Sequence, residues 1–273
     1  MFPNFFLLSF INLYFLITKL LKTLYNFTTL FVGRSLLYLP TCHSTNAVAL
    51  EMATDPKTTE GTIVLTDHQT EGRGQQHNTW EAAPHQNLTF SLILHPSFLA
   101  VAQQFWLNIA ISLGIYDFLS THILQDLKIK WPNDLYYQNH KLGGVLIQNI
   151  LSQENIRRSV VGIGLNVNQT GFQTERAISI KQITGQEISL NTALEVILGF
   201  LEKRYLQLRS GNFDRLKQHY LQNLYRYQEV HTFKSQQVTF QGTILGIDKI
   251  GRLCVEKEGR LHYFSFKEIE YIT

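Results

Sequence analysis

The feature that most constrains this chain is a change of hydrophobic period near Val230. From Leu36 onward, short β-rich runs such as Thr62-Ile63-Val64-Leu65 alternate with longer stretches whose apolar residues recur at helical spacing. From Val230 to Thr273 only brief strands remain: Val238-Thr239-Phe240, Gly242-Thr243-Ile244-Leu245, Arg252-Leu253-Cys254-Val255 and His262-Tyr263-Phe264-Ser265-Phe266, punctuated by Gly242, Gly246, Gly251 and Gly259. A single layered core does not follow two such rules. The 273 residues therefore suit one sizeable α/β domain, residues 34–227, and a small β-barrel, residues 228–273. No internal repeat or low-complexity linker separates them, so the two units are expected to pack together.

Within the larger unit, Ser44-Thr45-Asn46 precedes Ala47 to Ala53, hydroxyl and amide caps ahead of good helix formers. Asn87 to His95 alternates Leu88, Phe90, Leu92 and Leu94 against Thr89, Ser91 and Ile93, which predicts a strand, and Phe98 to Thr121 reads as a long apolar helix. Lys128 to Trp131, Leu135 to Tyr137 and Lys141 to Asn149 are strand-like, with Gln138-Asn139-His140 as a turn. A Val- and Ile-rich strand over Arg158 to Val167 leads into a loop, Gly171 to Leu190, carrying one short helix. Two helices, Thr192 to Leu208 and Phe213 to Tyr225, then close the unit around Ser210-Gly211-Asn212.

Charge and cysteine usage exclude more than they select. With 24 Lys+Arg against 21 Asp+Glu the formal charge is +3, too small a bias to imply nucleic acid or an acidic membrane as partner. Cys42 and Cys254 lie far apart, and the ten histidines show no ligand spacing, so neither a disulfide framework nor a structural zinc site is expected, and a reducing cytoplasm fits. The anomaly is Met1 to Thr18, which carries no charged side chain. A spanning helix needs about 20 apolar residues, and extending the run that far brings in Lys19. The flanks lack the basic stretch and small-residue cleavage site of a secretory signal. Residues 1–33 are thus an apolar leader, either a short anchor or the product of a start placed too far upstream, and the second is the expectation.

Three segments carry candidate chemistry. Gln69-Thr70-Glu71-Gly72-Arg73-Gly74-Gln75-Gln76-His77-Asn78-Thr79-Trp80 lies between two predicted strands. Without Cβ atoms, Gly72 and Gly74 could bring backbone amides to a ligand, and Arg73 offers a donor fork for a carboxylate or phosphate; an ordinary Gly-rich turn fits the same residues. In Lys130-Trp131-Pro132-Asn133-Asp134, with Lys141-Leu142-Gly143-Gly144-Val145 after a hairpin, the proline stiffens a mount for Asn133 and Asp134. A hairpin with solvated lysines is the alternative. Gly162-Ile163-Gly164-Leu165-Asn166-Val167-Asn168 puts two glycines and two amides on one strand face, which suits either a ligand lying against the backbone or a bulge.

Taken together and in this order, from the Ser-Thr-Asn start to the C-terminal barrel, these motifs resemble the biotin protein ligases, also called biotin-[acetyl-CoA-carboxylase] ligases, over about Leu36 to Thr273. The resemblance implies a mixed-sheet α/β catalytic domain related to class II aminoacyl-tRNA synthetases and lipoate ligases, followed by an SH3-like β-barrel. It implies that Ser44, Thr45, Asn46 and Gln69 surround the biotin ring, with Gly72, Arg73 and Gly74 near its tail. Lys141 would meet the biotin carboxylate, and Gly144, Gly162 and Gly164 would let the ligand lie against the strands. Gln75, Asn78, Trp80, Lys130, Asn133 and Asn166 would serve ATP, with Asp134 helping to place ATP and its magnesium; no metal would be held by protein alone.

The implied reaction joins biotin to AMP and then passes it to a lysine of a biotin carboxyl carrier protein. Biotin's carboxylate and the α-phosphate repel each other, so Arg73, Lys130, Lys141 and magnesium are expected to neutralise them, with Asp134 orienting the attacking amine. Two departures stand out. Gln75 and Asn78 occupy positions where family members can carry arginine, and Met1 to Tyr38 is too short and too poor in basic residues for a helix-turn-helix, so no DNA binding is expected. The rival readings are a lipoate or octanoate ligase on the same fold and a non-catalytic membrane-tethered biotin-binding module; the polar Ser44, Thr45, Asn46 and Gln69 oppose the first and the paired lysines the second. Membrane association is not expected of the enzyme, and either a monomer or a homodimer would suit it.

Overall fold

The computed structural model describes residues 27–75 and 78–272. The expectations for Met1 to Thr18, and those for Gln76 and His77, lie outside the described residues. The larger unit contains β1 (Leu36–Cys42), α1 (Thr45–Met52), β2 (Ile63–Gln69), β3 (Leu88–Leu94), α2 (Phe105–Ser120), β4 (Leu127–Lys130), β5 (Asp134–Tyr137), β6 (His140–Ser152), β7 (Asn155–Leu165), α3 (Ile180–Thr184), α4 (Leu190–Arg209) and α5 (Phe213–Gln222). Its strands form one seven-stranded mixed sheet in the order β1-β2-β3-β7-β6-β5-β4, in which only β1 and β2 run parallel.

The period-two pattern of β3 explains how this sheet is used. Leu88, Phe90, Leu92 and Leu94 enter the main core with α2 and α4, while Ile93 faces the other way and joins Val64, Val160, Ala49 and Ala53 beneath α1. Helix α2 is apolar on most sides because it lies between the sheet and α4. The two helices approach closely at Gly114, where a Cβ would stand 3.0 Å from the Leu201 Cα. The expected Phe98 to Thr121 helix is shorter: Val101–Gln103 is a separate 3₁₀ turn before α2 begins at Phe105.

The C-terminal unit contains β8 (Val230–Ser235), β9 (Val238–Ile247), β10 (Leu253–Lys257), β11 (Arg260–Phe264) and β12 (Glu270–Tyr271). They form an all-antiparallel five-stranded sheet in the order β11-β10-β9-β8-β12, the arrangement expected of an SH3-like unit. The two short strands expected on either side of Gln241 are one continuous β9. The units pack together, as the missing linker implied. Trp131 Nε1 donates to the Gly251 carbonyl at 2.9 Å, and its ring meets Phe266 edge-on at 6.2 Å.

The last residues of the expected leader are built into the larger unit. Val32 is fully buried, Phe27 and Phe31 pack against the main core, and the buried Glu202 carboxylate of α4 accepts the backbone N–H groups of Leu30, Phe31 and Val32 at 2.7, 2.9 and 3.0 Å. Apolar residues flanking a satisfied carboxylate make this segment part of the fold from Phe27 onward.

Candidate active site

The glycines of β6 and β7 acquire a purpose from the strand register. Gly164 pairs with Thr89 on one side and Gly144 on the other, and Gly162 pairs with Ser91 and Leu146. Directly paired residues share a face, so Gly144, Gly164 and Thr89 form one row and Leu146, Gly162 and Ser91 the next. This is the α1 side of the sheet. Three of these six positions are glycine, and a cleft opens over them, lined also by Ser44, Thr45, Asn46, Gln69, Arg73, Gly74, Gln75, Asn78, Trp80, Asp134 and Lys141.

The space above those glycines is taken first by protein side chains. A Cβ at Gly164 would lie 2.3 Å from Trp80 Cε2, and one at Gly162 would lie 2.7 Å from Asn46 Oδ1. The expected direct contact of ligand with bare strand is thereby modified: the glycines seat Trp80 and Asn46, which then face the cleft. Gly144 acts likewise for the ion pair of Lys141 Nζ with Asp134 Oδ2, 2.8 Å, because a Cβ there would sit 3.2 Å from both Lys141 Nζ and Asp134 Oδ1.

Part of the cleft lining is a network of neutral hydrogen bonds. The Gln69 side-chain oxygen accepts from the Thr45 amide at 2.8 Å and from its hydroxyl at 3.1 Å; Ser91 donates to Thr45 Oγ1 at 2.9 Å. Asn46 Nδ2 donates to Gln148 Oε1 at 2.5 Å. Ser44 stands at the N-cap of α1 in extended conformation but makes no cap bond, contrary to the expected role, and its buried hydroxyl has no protein partner among the described residues. The buried Trp80 Nε1 is in the same state. Buried polar atoms of this kind suit a ligand that supplies both acceptors and donors.

The Gly-Arg-Gly loop closes on itself. Trp80 N donates to the Gly72 carbonyl at 3.0 Å and Gly74 N to the Asn78 carbonyl at 2.6 Å, while a Cβ at Gly72 would strike the Trp80 carbonyl oxygen at 2.4 Å. Gly72 and Gly74 therefore allow the two limbs to meet, and the Gly74 amide is spent on Asn78 rather than aimed at a ligand. Gly72 does not line the cleft, whereas Arg73 and Gly74 do. Gln75 ties the loop to the β4–β5 turn, donating from Nε2 to Asn133 Oδ1 at 2.8 Å and to the Val145 carbonyl at 3.2 Å.

Three other expected site residues lie outside the cleft lining. Asn133 is buried and uses its own Nδ2 on Asn108 Oδ1 at 2.9 Å, so it supports Gln75 from behind. Asn166 holds the carbonyls of Ile178 and Lys141 at 3.1 and 3.4 Å, and its Oδ1 is buried without a protein partner among the described residues. Lys130 lines a neighbouring cavity that shares Gln75, Asp134 and Phe266 with the cleft. Its ammonium is mostly buried, which lowers its pKa to about 8, an effect that Asp134 partly opposes.

Sequence reasoning missed Thr79, Thr89, Val145, Leu146, Ile163 and Phe266, which also line the cleft. Thr89 was findable as the polar position in the β3 alternation. Phe266 comes from the C-terminal unit, and nothing local marks a residue that reaches across a domain boundary. Among the described residues no three His, Cys, Asp or Glu side chains gather to hold a metal ion.

The chain is similar to several known proteins. Residues 38–166 match the biotin/lipoate A/B protein ligase family. The bifunctional ligase/repressor BirA of Bacillus subtilis is 32% identical over 250 residues, covering 88% of this chain and 74% of its own. The biotin-[acetyl-CoA-carboxylase] ligase of Mycobacterium tuberculosis is 27% identical, covering 84% and 86%. The biotin protein ligase of Aquifex aeolicus, solved in complex with biotin and ATP, superposes with a TM-score of 0.72 at 25% identity, over 87% of this chain and 98% of that one.

Proposed function

The chain belongs to the biotin protein ligase family, and on that premise we propose how its own residues divide the work of ATP-dependent biotin ligation. The reaction has two halves. A carboxylate oxygen of biotin attacks the α-phosphorus of MgATP, the bond to the β-phosphate oxygen breaks, and pyrophosphate leaves biotinyl-5'-AMP. A lysine amine of a carboxylase biotin carrier domain then attacks the acyl carbon, AMP departs with the carboxylate oxygen, and the amine loses a proton.

The observation that carries the assignment is that one cleft combines a set of neutral donors and acceptors with two cations. Ser44, Thr45, Asn46 and Gln69 supply neutral donors and acceptors, suited to a ureido ring, and Arg73 and Lys141 supply cations in the same cleft. Lys141 receives the biotin carboxylate in place of Asp134. Freed from that pair, Asp134 becomes the acceptor nearest the reacting atoms and orients the incoming amine. Trp80 and Asn78 flank the nucleotide, and Asn166 acts through Lys141, whose backbone it fixes. Gly144, Gly162 and Gly164 keep the floor open, Gly72 and Gly74 close the loop, and Gln75 and Asn133 hold that loop against the β4–β5 turn.

Lys130 faces the triphosphate from the neighbouring cavity. Magnesium enters with ATP as part of the substrate and supplies charge neutralisation of the phosphates. Working in the cytoplasm, as monomer or homodimer and without binding nucleic acid, would suit this activity; among the described residues no helix is long and apolar enough to cross a membrane. The test is biotin-dependent exchange of pyrophosphate into ATP, followed by transfer of labelled biotin to a carrier domain. Exchange supported by octanoate or lipoate but not by biotin would move the assignment to the other branch of the family.

A further inference from the structure

Beside the cleft, a second cavity runs between the two units, walled by Lys130, Asn133 and Asp134 on one side and by Lys267, Glu270 and Tyr271 on the other. The surroundings of Lys130 are unusual for a buried cation. Asp134, the nearest acidic residue in sequence, forms its ion pair with Lys141 instead. Lys130 Nζ lies 4.6 Å from the ring centroid of Tyr136, 4.8 Å from that of Tyr271 and 6.0 Å from that of Tyr225, and it donates to the Tyr136 hydroxyl at 3.3 Å. Three aromatic faces stand where a carboxylate would ordinarily be.

The rings come from three parts of the chain. Tyr136 is on β5, Tyr225 on the segment joining α5 to β8, and Tyr271 on β12 of the C-terminal sheet. They brace one another, with centroids 5.6 Å apart for Tyr136 and Tyr225 and 5.9 Å for Tyr225 and Tyr271, and Phe233 meets Tyr271 edge-on at 5.3 Å. The Tyr225 hydroxyl donates to Asn139 Oδ1 at 2.5 Å, and Arg226 secures the strand that carries Tyr271 by donating to the Ile272 carbonyl at 3.0 Å. The Tyr271 hydroxyl is buried and has no partner among the described residues, so what this residue contributes is its ring.

An aromatic face attracts an ammonium without neutralising it. A cation caged in this way keeps its charge available for an anion, whereas one locked to a carboxylate does not. Resting on the ligase reading above, we propose that Tyr271 is a positioning residue for the ATP half-reaction, completing with Tyr136 and Tyr225 a cage that points the Lys130 ammonium into the cavity for the triphosphate. The C-terminal sheet thereby sets the nucleotide site through one ring.

Tyr271→Phe and Tyr271→Leu in the full chain separate this from a structural role. Titration with MgATP alone should show Tyr271→Phe within about twofold of the parent and Tyr271→Leu weaker by roughly tenfold, the loss of one buried cation–π contact. In pyrophosphate exchange the KM for ATP should rise in the leucine variant while that for biotin stays unchanged. If Tyr271→Leu fails to fold, Tyr136→Leu compared with Tyr136→Phe gives the same reading, the phenylalanine variant accounting for the hydrogen bond from Lys130. Equal loss in the phenylalanine and leucine variants, a parallel rise in both KM values, or MgATP binding unchanged by loss of the ring would each overturn the cage. Because MgATP binding is read without biotin, a parent protein that binds MgATP yet shows no biotin-dependent exchange refutes the ligase reading and leaves the cage to be decided by the same titration.

Discussion

Lys141 Nζ stands 2.8 Å from Asp134 Oδ2 in the lining of the cleft, over a glycine whose missing Cβ gives the pair its room. Both side chains are about one third exposed, 34% and 28%, so the pair is screened and contributes on the order of 0.2–1 kcal/mol to stability. Lys141→Ala should therefore melt within a few degrees of the parent. Its biotin-dependent pyrophosphate exchange should fall at least a hundredfold, because a cation facing the carboxylate acts on the barrier directly. Exchange at the parent rate would remove Lys141 from the proposed chemistry.

Gly164→Val carries a different signature. The new side chain would begin 2.3 Å from Trp80 Cε2, so the indole must leave its seat on β7. Overpacking of this kind costs about 1–3 kcal/mol, which a thermal melt reads as a lower Tm with a folded baseline. Displaced indole should change the intrinsic fluorescence, and biotin affinity should drop at least tenfold because Trp80 lines the cleft. Unaltered fluorescence and affinity would mean that the close approach is relieved elsewhere.

Lys130 gives a pH prediction. Burial lowers its pKa to about 8; Asp134 opposes this, and Arg226, Lys141 and Arg176 reinforce it. The ammonium form, needed for the triphosphate, prevails below that value and is lost above it. The kcat/KM for ATP reports the free enzyme, so it should fall as pH rises through about 8. Lys130→Arg should carry the alkaline limb beyond the measurable range, since a guanidinium stays protonated. A limb that stays put in the arginine variant would assign it to another group.

The sequence made the sheet legible where its periodicity was strict. The alternation of Leu88, Phe90, Leu92 and Leu94 against Thr89, Ser91 and Ile93 told both faces of β3 correctly, and the glycines of β7 marked where something approaches the backbone. What approaches could not be read, because Trp80 and Asn46 reach Gly164 and Gly162 only through register and loop closure. The same holds for Gly72 and Gly74, whose partners are the returning limb at Asn78 and Trp80. Phe266 and Tyr271 were invisible for a stronger reason: their neighbours, Trp131 and Lys130, lie in the other unit, and neither residue departs from ordinary strand or loop composition. The apolar character of the segment before Arg34 runs on without a break from Met1, so composition does not mark where packing begins; the burial of Val32 and the backbone hydrogen bonds to Glu202 and Gly61 do.

That separation can be tested by where the chain is cut. Glu202 is 6% exposed, and its carboxylate is satisfied by the amides of Leu30, Phe31 and Val32, with the Val32 side chain fully buried beside it. A protein beginning at Phe27 retains every one of these contacts and should keep the parent's melting temperature and exchange activity. A protein beginning at Arg34 leaves a buried carboxylate without its donors and exposes the core around Val32; the unpaired charge alone costs several kcal/mol, comparable to the whole stability of a domain. It should unfold or aggregate. Glu202→Gln in the full chain distinguishes the carboxylate from the apolar contacts, because the amide keeps one acceptor oxygen for the three N–H groups. An intermediate loss of about 1–3 kcal/mol is expected, read as a lower midpoint in urea with an unchanged slope. If the chain cut at Arg34 were as stable and active as the one cut at Phe27, the anchoring by Glu202 would be incidental and the leader would extend to Gly33 after all.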